Sequence, residues 1–451
     1  MPADAVRVYH DLLAADPALA ADSQAALDRG QDARALFYAK RPACTVLRPR
    51  FLSPAQYRFL HDRVKVLLPA FQVAHDRALA DPGFRRQFRL REWEDDLLAT
   101  DPGFRDPAPA SRFDAFYAAD GRLVVTEYNA ETPAGAGYAD SLARLFYGLP
   151  AFQEFERRYQ VWPVLARPGV LHALTDSFKQ WRGNNTSDPP RVAVLDWRDG
   201  PAFGELVLFY DYFKAMGAEA RIVDPRDLDY RDRKLYAGDY HVTLVYRRVS
   251  AGDLVARGGP DHPLFRAARD RAACVVNSFR STVLGKKASL AVLSDERNAA
   301  LFTPEQRRAI ADHVPWTRVV EDRRTLIDGA EDDLVPFVLG NKDRLVLKPN
   351  DGHGGRGIVS GWEVEPAAWG AAVRAALAEP FVVQERVELP REPFPAFEGG
   401  GLVVRDRLLD TNPFVAFGSF MHGCLTRLSD AAPVSVAGGG SITPTFVVEP
   451  R

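Results

Sequence analysis

Residues 112–129 read Arg112-Phe-Asp-Ala-Phe-Tyr-Ala-Ala-Asp-Gly-Arg-Leu-Val-Val-Thr-Glu-Tyr-Asn129. Asp120-Gly121 is the kind of pair that closes a two-residue β-hairpin, because the favoured turn takes positive φ at its central positions. Such a turn sets position i opposite position 241 minus i, so Asp114 faces Glu127 and Arg112 faces Asn129. Directly opposed Cβ atoms lie about 5 Å apart. Two carboxylates held that close repel each other, a cost that a structural hairpin accepts only with a cation between them. Oxygens from Asp114, Glu127 and Asn129 suit Mg2+, which takes its remaining ligands from water and substrate phosphates. A surface hairpin whose charges face water is the bland reading of the same stretch.

Residues 345–361 supply something for such a metal to hold. They read Leu345-Val-Leu-Lys-Pro-Asn-Asp-Gly-His-Gly-Gly-Arg-Gly-Ile-Val-Ser-Gly361. An apolar strand ends in Lys348, and Gly352, Gly354, Gly355 and Gly357 follow in a loop whose backbone N–H groups can close around phosphate oxygens. Lys348 adds a point charge on the same phosphates. The lysine precedes the glycines, so this is not the P-loop order, and no helix opens on them as the dinucleotide fingerprint requires. The alternative is a glycine-rich hairpin with no ligand.

Composition narrows the classes. The chain has 451 residues, room for about three domains. With 46% hydrophobic and 26% charged residues it is globular rather than disordered or fibrous. A formal net charge of −2 gives no reason to expect nucleic acid or an anionic membrane as partner. Cys44, Cys274 and Cys424 are scattered without CxxC spacing, which predicts reduced thiols in a cytoplasmic protein. The first residues show no signal pattern, and no apolar run approaches a membrane span.

Along the chain, residues 1 to about 100 read as helical, with Tyr57, Leu60, Val64 and Leu67 forming a packing stripe in 54–68. The loop at 130–138 carries glycines and is a candidate to close over a substrate; a helix follows at 140–146. Beyond the polar linker 183–190, strands at 192–195, 220–223 and 241–246 surround a helix at 205–216, the pitch of a parallel α/β unit. The turn Asp196-Trp-Arg-Asp-Gly-Pro201 lacks the glycine fingerprint and is not read as a nicotinamide or flavin site. Residues 274–277 form another strand, Lys286 and Lys287 open a helix, and 304–313 is helical. In 381–387 a strand with a polar edge carries Gln384, Glu385 and the Val387 backbone, which can hydrogen-bond a base or face solvent. Short strands are expected in 418–448, one of them bearing Arg427.

Together these motifs resemble the ATP-grasp enzymes. Arg112-x-Asp114 and Glu127-x-Asn129 precede the glycine loop instead of following it, an order similar to the circularly permuted branch, which includes the synthetase domain of glutathionylspermidine synthetase. The resemblance covers about 105–450. It implies an α/β (α+β), circularly permuted ATP-grasp fold: a helical region 1–104, a permuted segment with the metal-binding hairpin 105–180, an α/β substrate-side domain of pre-ATP-grasp type 181–270, and nucleotide-binding subdomains 271–451. It further implies that Asp114, Glu127 and Asn129 hold Mg2+ on ATP. Lys348 and Lys287 would contact its phosphates, with Lys286 the competitor for the second role. Gly352, Gly354, Gly355 and Gly357 would cover the triphosphate; His353 lies among them, as a phosphate contact or a tolerated loop residue. Gln384, Glu385 and Val387 would meet the adenine, and Arg112 and Arg427 would stabilise transferring charge.

The reaction implied is amide formation between a small-molecule or short-peptide carboxylate and an amine, through an acylphosphate, with release of ADP and phosphate. The appended amidase of the glutathionylspermidine enzymes is absent from the sequence. A small-molecule kinase and a nucleotide-binding protein without turnover are the alternatives.

Overall fold

The computed structural model describes every residue except Met1, Thr186 and His353. Three long helices open the chain, Pro2–Ala15, Pro17–Ala33 and Pro54–Ala80. The third begins where a helix is easily started: Ser53 and Gln56 form a reciprocal capping box, and Pro54 occupies the first turn, where its missing N–H costs nothing. The helix continues past the expected 54–68 because the apolar stripe runs on through Phe71, Ala74 and Ala78.

That stripe covers one face of the hairpin Ala110–Tyr117 and Leu123–Asn129. Phe71 lies 5.5 Å from Phe113 and 4.7 Å from Tyr128, ring centre to ring centre. Phe113, Ala115 and Tyr117 alternate into this core, so Arg112, Asp114 and Phe116 point to the other face, as the period of two demands. The partner strand would break this order without one extra residue. Leu123 and Val125 face the core, and strict alternation would send Glu127 there too. Instead the pairing shifts at Thr126, and Tyr128 becomes the next core residue. This β-bulge moves Glu127 and Asn129 onto the face of Arg112 and Asp114.

The turn itself differs from the sequence expectation. Ala118 accepts from Gly121 N–H and donates to Arg122 O, leaving a three-residue loop that ends on Gly121 at φ +91°. Ala115 therefore pairs with Val125, one residue out of the expected register. The bulge restores it, so Arg112 pairs with Asn129 and Asp114 with Glu127 as expected, but through two offsets that cancel.

The hairpin forms one edge of a seven-stranded sheet. In order across it lie Arg391–Glu398, Gly401–Leu409, Phe420–Ser429, Asn412–Ala416, Ala110–Tyr117 and Leu123–Asn129, with Ser441–Thr443 also paired to Phe420–Ser429. Arg427 thus sits in one ten-residue strand rather than in one of several short ones. A second sheet is antiparallel, in the order Thr317–Val319, Phe381–Glu385, Leu345–Pro349, Val359–Ser360. Phe381–Glu385 is therefore a central strand, not an edge; it pairs on both sides.

The third sheet is parallel and ordered Cys274–Val276, Leu244–Arg247, Arg191–Leu195, Glu219–Val223. The expected strand 241–246 is two strands. Tyr240–Val242 closes a small antiparallel sheet with Lys234–Ala237 and Leu228–Arg231, and Leu244–Arg247 joins the parallel one. The chain changes partner at Thr243, whose N–H and hydroxyl both bond to Arg191. The hairpin at 228–237 escaped the sequence because its turn residues Asp232 and Arg233 take positive φ without glycine. All three cysteines are buried and free. Among the described residues no helix is long and apolar enough to cross a membrane.

Candidate active site

The three sheets meet around one cleft of about 1270 Å³. Arg112, Asp114, Glu127, Asn129, Lys348, Gly354, Gly355, Gln384, Glu385, Val387 and Arg427 all line it. Segments separated by hundreds of residues therefore share one cavity.

Asp114 is the hub. Its Oδ1 accepts from Arg112 Nε at 2.8 Å and Asn129 Nδ2 at 2.8 Å, and lies 2.7 Å from Arg112 Nη2. Its Oδ2 takes one hydrogen bond, from Arg427 Nη2 at 2.7 Å. Burial pushes the carboxyl up, but the two guanidinium groups outweigh it and hold Asp114 below the ordinary carboxylate range. Arg427 in turn donates through Nε to Asp410 Oδ2 at 2.6 Å and through its backbone N–H to Asp410 Oδ1 at 2.7 Å. Burial works against that charge, and the two flanking carboxylates raise the Arg427 pKa regardless. Arg112 spends its remaining Nη1 on Ala134 O.

Glu127 is more open, its side chain about 30% exposed, and its nearest cation is Lys287 Nζ at 3.3 Å. Like charge at the Asp114–Glu127 pair is thus offset by the protein's own cations: Arg112 and Arg427 on one carboxylate, Lys287 on the other. The set also fits a hard divalent cation. Asp114 Oδ2 retains a lone pair, Glu127 faces the cleft, and Asn129 donates through Nδ2 and so keeps its amide oxygen. Among the described residues no group of three or more His, Cys, Asp or Glu side chains is placed to hold a metal; the donors here are two carboxylates and an amide.

Lys286 and Lys287 are sorted by the packing. Lys286, 2% exposed, is held between Glu94 and Asp351. Lys287 turns the other way, donating to Gly352 O at 3.0 Å while it meets Glu127. Asn350 fixes both, accepting from Ala288 N–H through Oδ1 at 2.9 Å and from Lys287 N–H through its carbonyl at 3.2 Å. Lys348 Nζ donates to Gln384 Oε1 at 2.6 Å, and Gln384 Nε2 donates to Thr317 Oγ1 at 2.9 Å. Burial lowers Lys348 to about 8 although nearby Glu127 favours its charge. Gln384 is 2% exposed, so its amide serves Lys348 from the middle of the sheet.

In the glycine loop, Gly354 and Gly355 line the cleft, whereas Gly357 packs on Pro349 and Gly352 bonds Lys287. Gly355, at φ +81°, admits no side chain: a Cβ there would lie 2.9 Å from Pro433 Cγ. The expectation at His353 lies outside the described residues. The 130s loop is tied by hydrogen bonds to the elements around it. Glu205, fully buried, accepts from Gly135 and Gly137 N–H; Arg248 reaches Pro133 O; Asn277 Nδ2 donates to Ala130 O at 2.8 Å and Glu131 O at 3.1 Å.

Asp410, Asn412 and Glu94 were missed from the sequence. Asn412 Oδ1 holds Ala115 N–H at 2.9 Å beside the bulge. The local sign of Asp410 and Asn412 is the polar run Asp410-Thr-Asn412, buried between its neighbouring strands; Glu94 has none.

A glycine hairpin on an antiparallel sheet, set across a cleft from two carboxylates and an amide, defines an ATP-grasp protein. The chain belongs to the circularly permuted ATP-grasp type 2 family, whose model matches residues 90–429. The match begins inside the helical region and so takes in Glu94, which holds Lys286. An uncharacterized protein of Mycobacterium tuberculosis is 26% identical over 349 residues, 73% of this chain and 58% of that protein. A protein of Frankia alni named provisionally as a glutamate–cysteine ligase is 29% identical over 287 residues, 61% of this chain and 30% of its own length. Its counterpart in Frankia casuarinae is 27% identical over 286 residues, with the same coverage. The chain thus spans less than two thirds of each of these relatives.

Proposed function

We propose that the protein is an ATP-dependent carboxylate–amine ligase that joins its substrates in an amide bond through an acylphosphate. One observation carries this reading: Asp114, Glu127 and Asn129 share a cleft with Lys348, Gly354 and Gly355, and Arg427 stands beside Asp114. The ligase name of the Frankia alni relative accords with it, as does the motif order similar to the synthetase domain of glutathionylspermidine synthetase.

Asp114, Glu127 and Asn129 would hold Mg2+, which supplies charge neutralisation on the triphosphate. Lys348 and Lys287 bind phosphate oxygens, and Gly354 and Gly355 present backbone N–H groups to them. Gln384 keeps Lys348 aimed, while Glu385 and the Val387 backbone take the adenine. A carboxylate oxygen of the acid substrate attacks the γ-phosphorus and the bond to the β-phosphate oxygen breaks, releasing ADP. Arg427 and Arg112 offset the charge gathered there. The amine then attacks the acyl carbon, and the carbon–oxygen bond to phosphate breaks. The same arginines stabilise the oxyanion between the two steps. The glycine loop and residues Pro433–Val436, which touch at Gly355, exclude water meanwhile.

The test is ADP and phosphate release with ATP, Mg2+ and panels of acids, using hydroxylamine as the amine. A hydroxamate product with ADP and free phosphate is the expected result. Phosphate retained on the product, or no ADP with any acid, overturns the proposal.

A further inference from the structure

Among the described residues, none of the strand Thr317–Val319 lines the cleft, yet one of its side chains reaches the cleft through two others. In the antiparallel register Thr317 faces Gln384, and Gln384 faces Val346 on its other side. Lys348 lies two residues beyond Val346 on the same strand. It therefore shares the face of Gln384, at the diagonal distance that a long side chain can cross. Thr317, Gln384 and Lys348 stand in one row across three strands.

The direction of the hydrogen bonds along this row is set at its far end. Thr317 Oγ1 lies 2.8 Å from Pro315 O, and a carbonyl can only accept, so the hydroxyl proton points there. What the hydroxyl has left for Gln384 is a lone pair, which takes a proton of Gln384 Nε2 at 2.9 Å. The Gln384 carboxamide is thereby turned with its oxygen toward Lys348, whose Nζ donates to it at 2.6 Å. The reversed amide would set its NH2 against the Lys348 ammonium and its oxygen against a hydroxyl already committed, losing both bonds. Thr317 is fully buried and Gln384 is 2% exposed, so water does not stand in for either. Ser294 holds the Thr317 backbone in turn: its Oγ accepts from the N–H at 3.2 Å and donates to the carbonyl at 2.9 Å. At the near end, Gln384 Oε1 is the one hydrogen-bond acceptor that Lys348 Nζ finds among the described residues, which leaves its other protons for the cleft. Burial works against the charge on Lys348, so the sense of that single amide matters more than it would in water.

We propose that Thr317 is a positioning residue for the nucleotide: by fixing the sense of the Gln384 amide, it holds the Lys348 ammonium in place for the phosphates without touching any ligand itself. The inference rests on the part of the ligase reading in which Lys348 binds ATP. Without the Thr317 hydroxyl, Gln384 Nε2 is left unpaired in the interior and nothing favours the amide sense that Lys348 needs.

Calorimetric titration of the full chain with ATP and Mg2+ tests this. Thr317→Val keeps the shape of the side chain but neither donates nor accepts, and is expected to weaken ATP about tenfold, the worth of a hydrogen bond to a charged group. Thr317→Ser keeps the hydroxyl and should bind ATP close to the parent. In a Gln384→Met background Thr317→Val should change ATP affinity no further, because a residue that acts through Gln384 then has nothing to act on. Parent affinity in Thr317→Val, equal losses in Thr317→Val and Thr317→Ser, or an undiminished loss in the Gln384→Met background overturns the proposal. Should Thr317→Val fail to fold, Gln384→Met alone decides: a loss of ATP affinity at least as large is expected, and parent affinity overturns the proposal. This pattern of affinities without hydroxamate formation would remove the ligase reading and keep the role of Thr317; hydroxamate formation with parent affinity in Thr317→Val would do the reverse.

Discussion

Arg427 Nη2 lies 2.7 Å from Asp114 Oδ2, although 313 residues separate them in the chain. The strand Asn412–Ala416 runs between their strands and ends before reaching them, and Asp410, just beyond its end, grips Arg427 from the other side. One guanidinium thus joins two carboxylates, both at least nine-tenths buried.

Arg427→Ala leaves Asp114 and Asp410 without their shared cation. Breaking a buried pair this way costs about 3–5 kcal/mol, so a clear fall in melting temperature is expected together with loss of ADP release. Arg427→Lys keeps charge but not the fork that serves both carboxylates. It should restore most of the thermal stability and little of the turnover; full turnover in Arg427→Lys would show that the planar fork is not needed.

Glu127→Gln should act on chemistry alone. Glu127 is partly open and its nearest cation, Lys287, is 3.3 Å away, so the fold loses little. Metal-dependent ADP release is expected to drop by about 100-fold or more, the scale of losing one electrostatic group in a site of this kind. Thermal melts and steady-state rates across a Mg2+ series check both halves.

The adjacent lysines should part company. Lys286→Met strands Glu94, which is 3% exposed and already has its pKa raised by burial, and should cost about 3–5 kcal/mol of stability. Lys287→Met should leave the melting temperature close to the parent and weaken ATP. Calorimetric titration with ATP beside thermal melts reads the two outcomes; the opposite pattern would assign Lys286 to the nucleotide.

Lys348 gives a pH dependence whose sign can be worked out. Burial lowers it from 10.5 to about 8, so between those values the unfolded chain carries a proton that the folded chain has released. Stability of the ligand-free protein from this group therefore rises with pH across that window. ATP binding runs the other way, because the phosphates need the protonated amine: affinity should fall as pH climbs through about 8. Lys348→Arg keeps its charge and should flatten that fall. A titration series from pH 7 to pH 9.5 in both proteins would settle it, and a flat profile in the parent would rule Lys348 out as a phosphate ligand.

How much of this was legible beforehand differs from residue to residue. The facing of Asp114 and Glu127 was expected from Asp120-Gly121, and holds only because a three-residue turn and the bulge at Thr126 cancel. A bulge leaves no spacing signature, since it is held by Asn412 Oδ1 on the Ala115 N–H, by the Thr126 hydroxyl on Asp114 O and by the core beneath. Gln384 is expected to meet the adenine from the polar edge of a strand; the strand lies mid-sheet and its amide bonds Lys348, because strand order is set by pairing between distant segments.

Local pattern by itself determined the alternating hairpin with its carboxylates, the lysine-then-glycine loop and the order in which they occur, since strand periodicity and glycine's positive φ are written into neighbouring residues. Only the tertiary structure decided which of the adjacent lysines meets Glu127, that Asp410 holds Arg427, that the 130s loop is pinned, and that the turn after Arg191–Leu195 lines the cleft. Those outcomes depend on buried charges finding partners across the fold, and the cost of leaving one unpaired in the interior is felt only after the chain has closed around it.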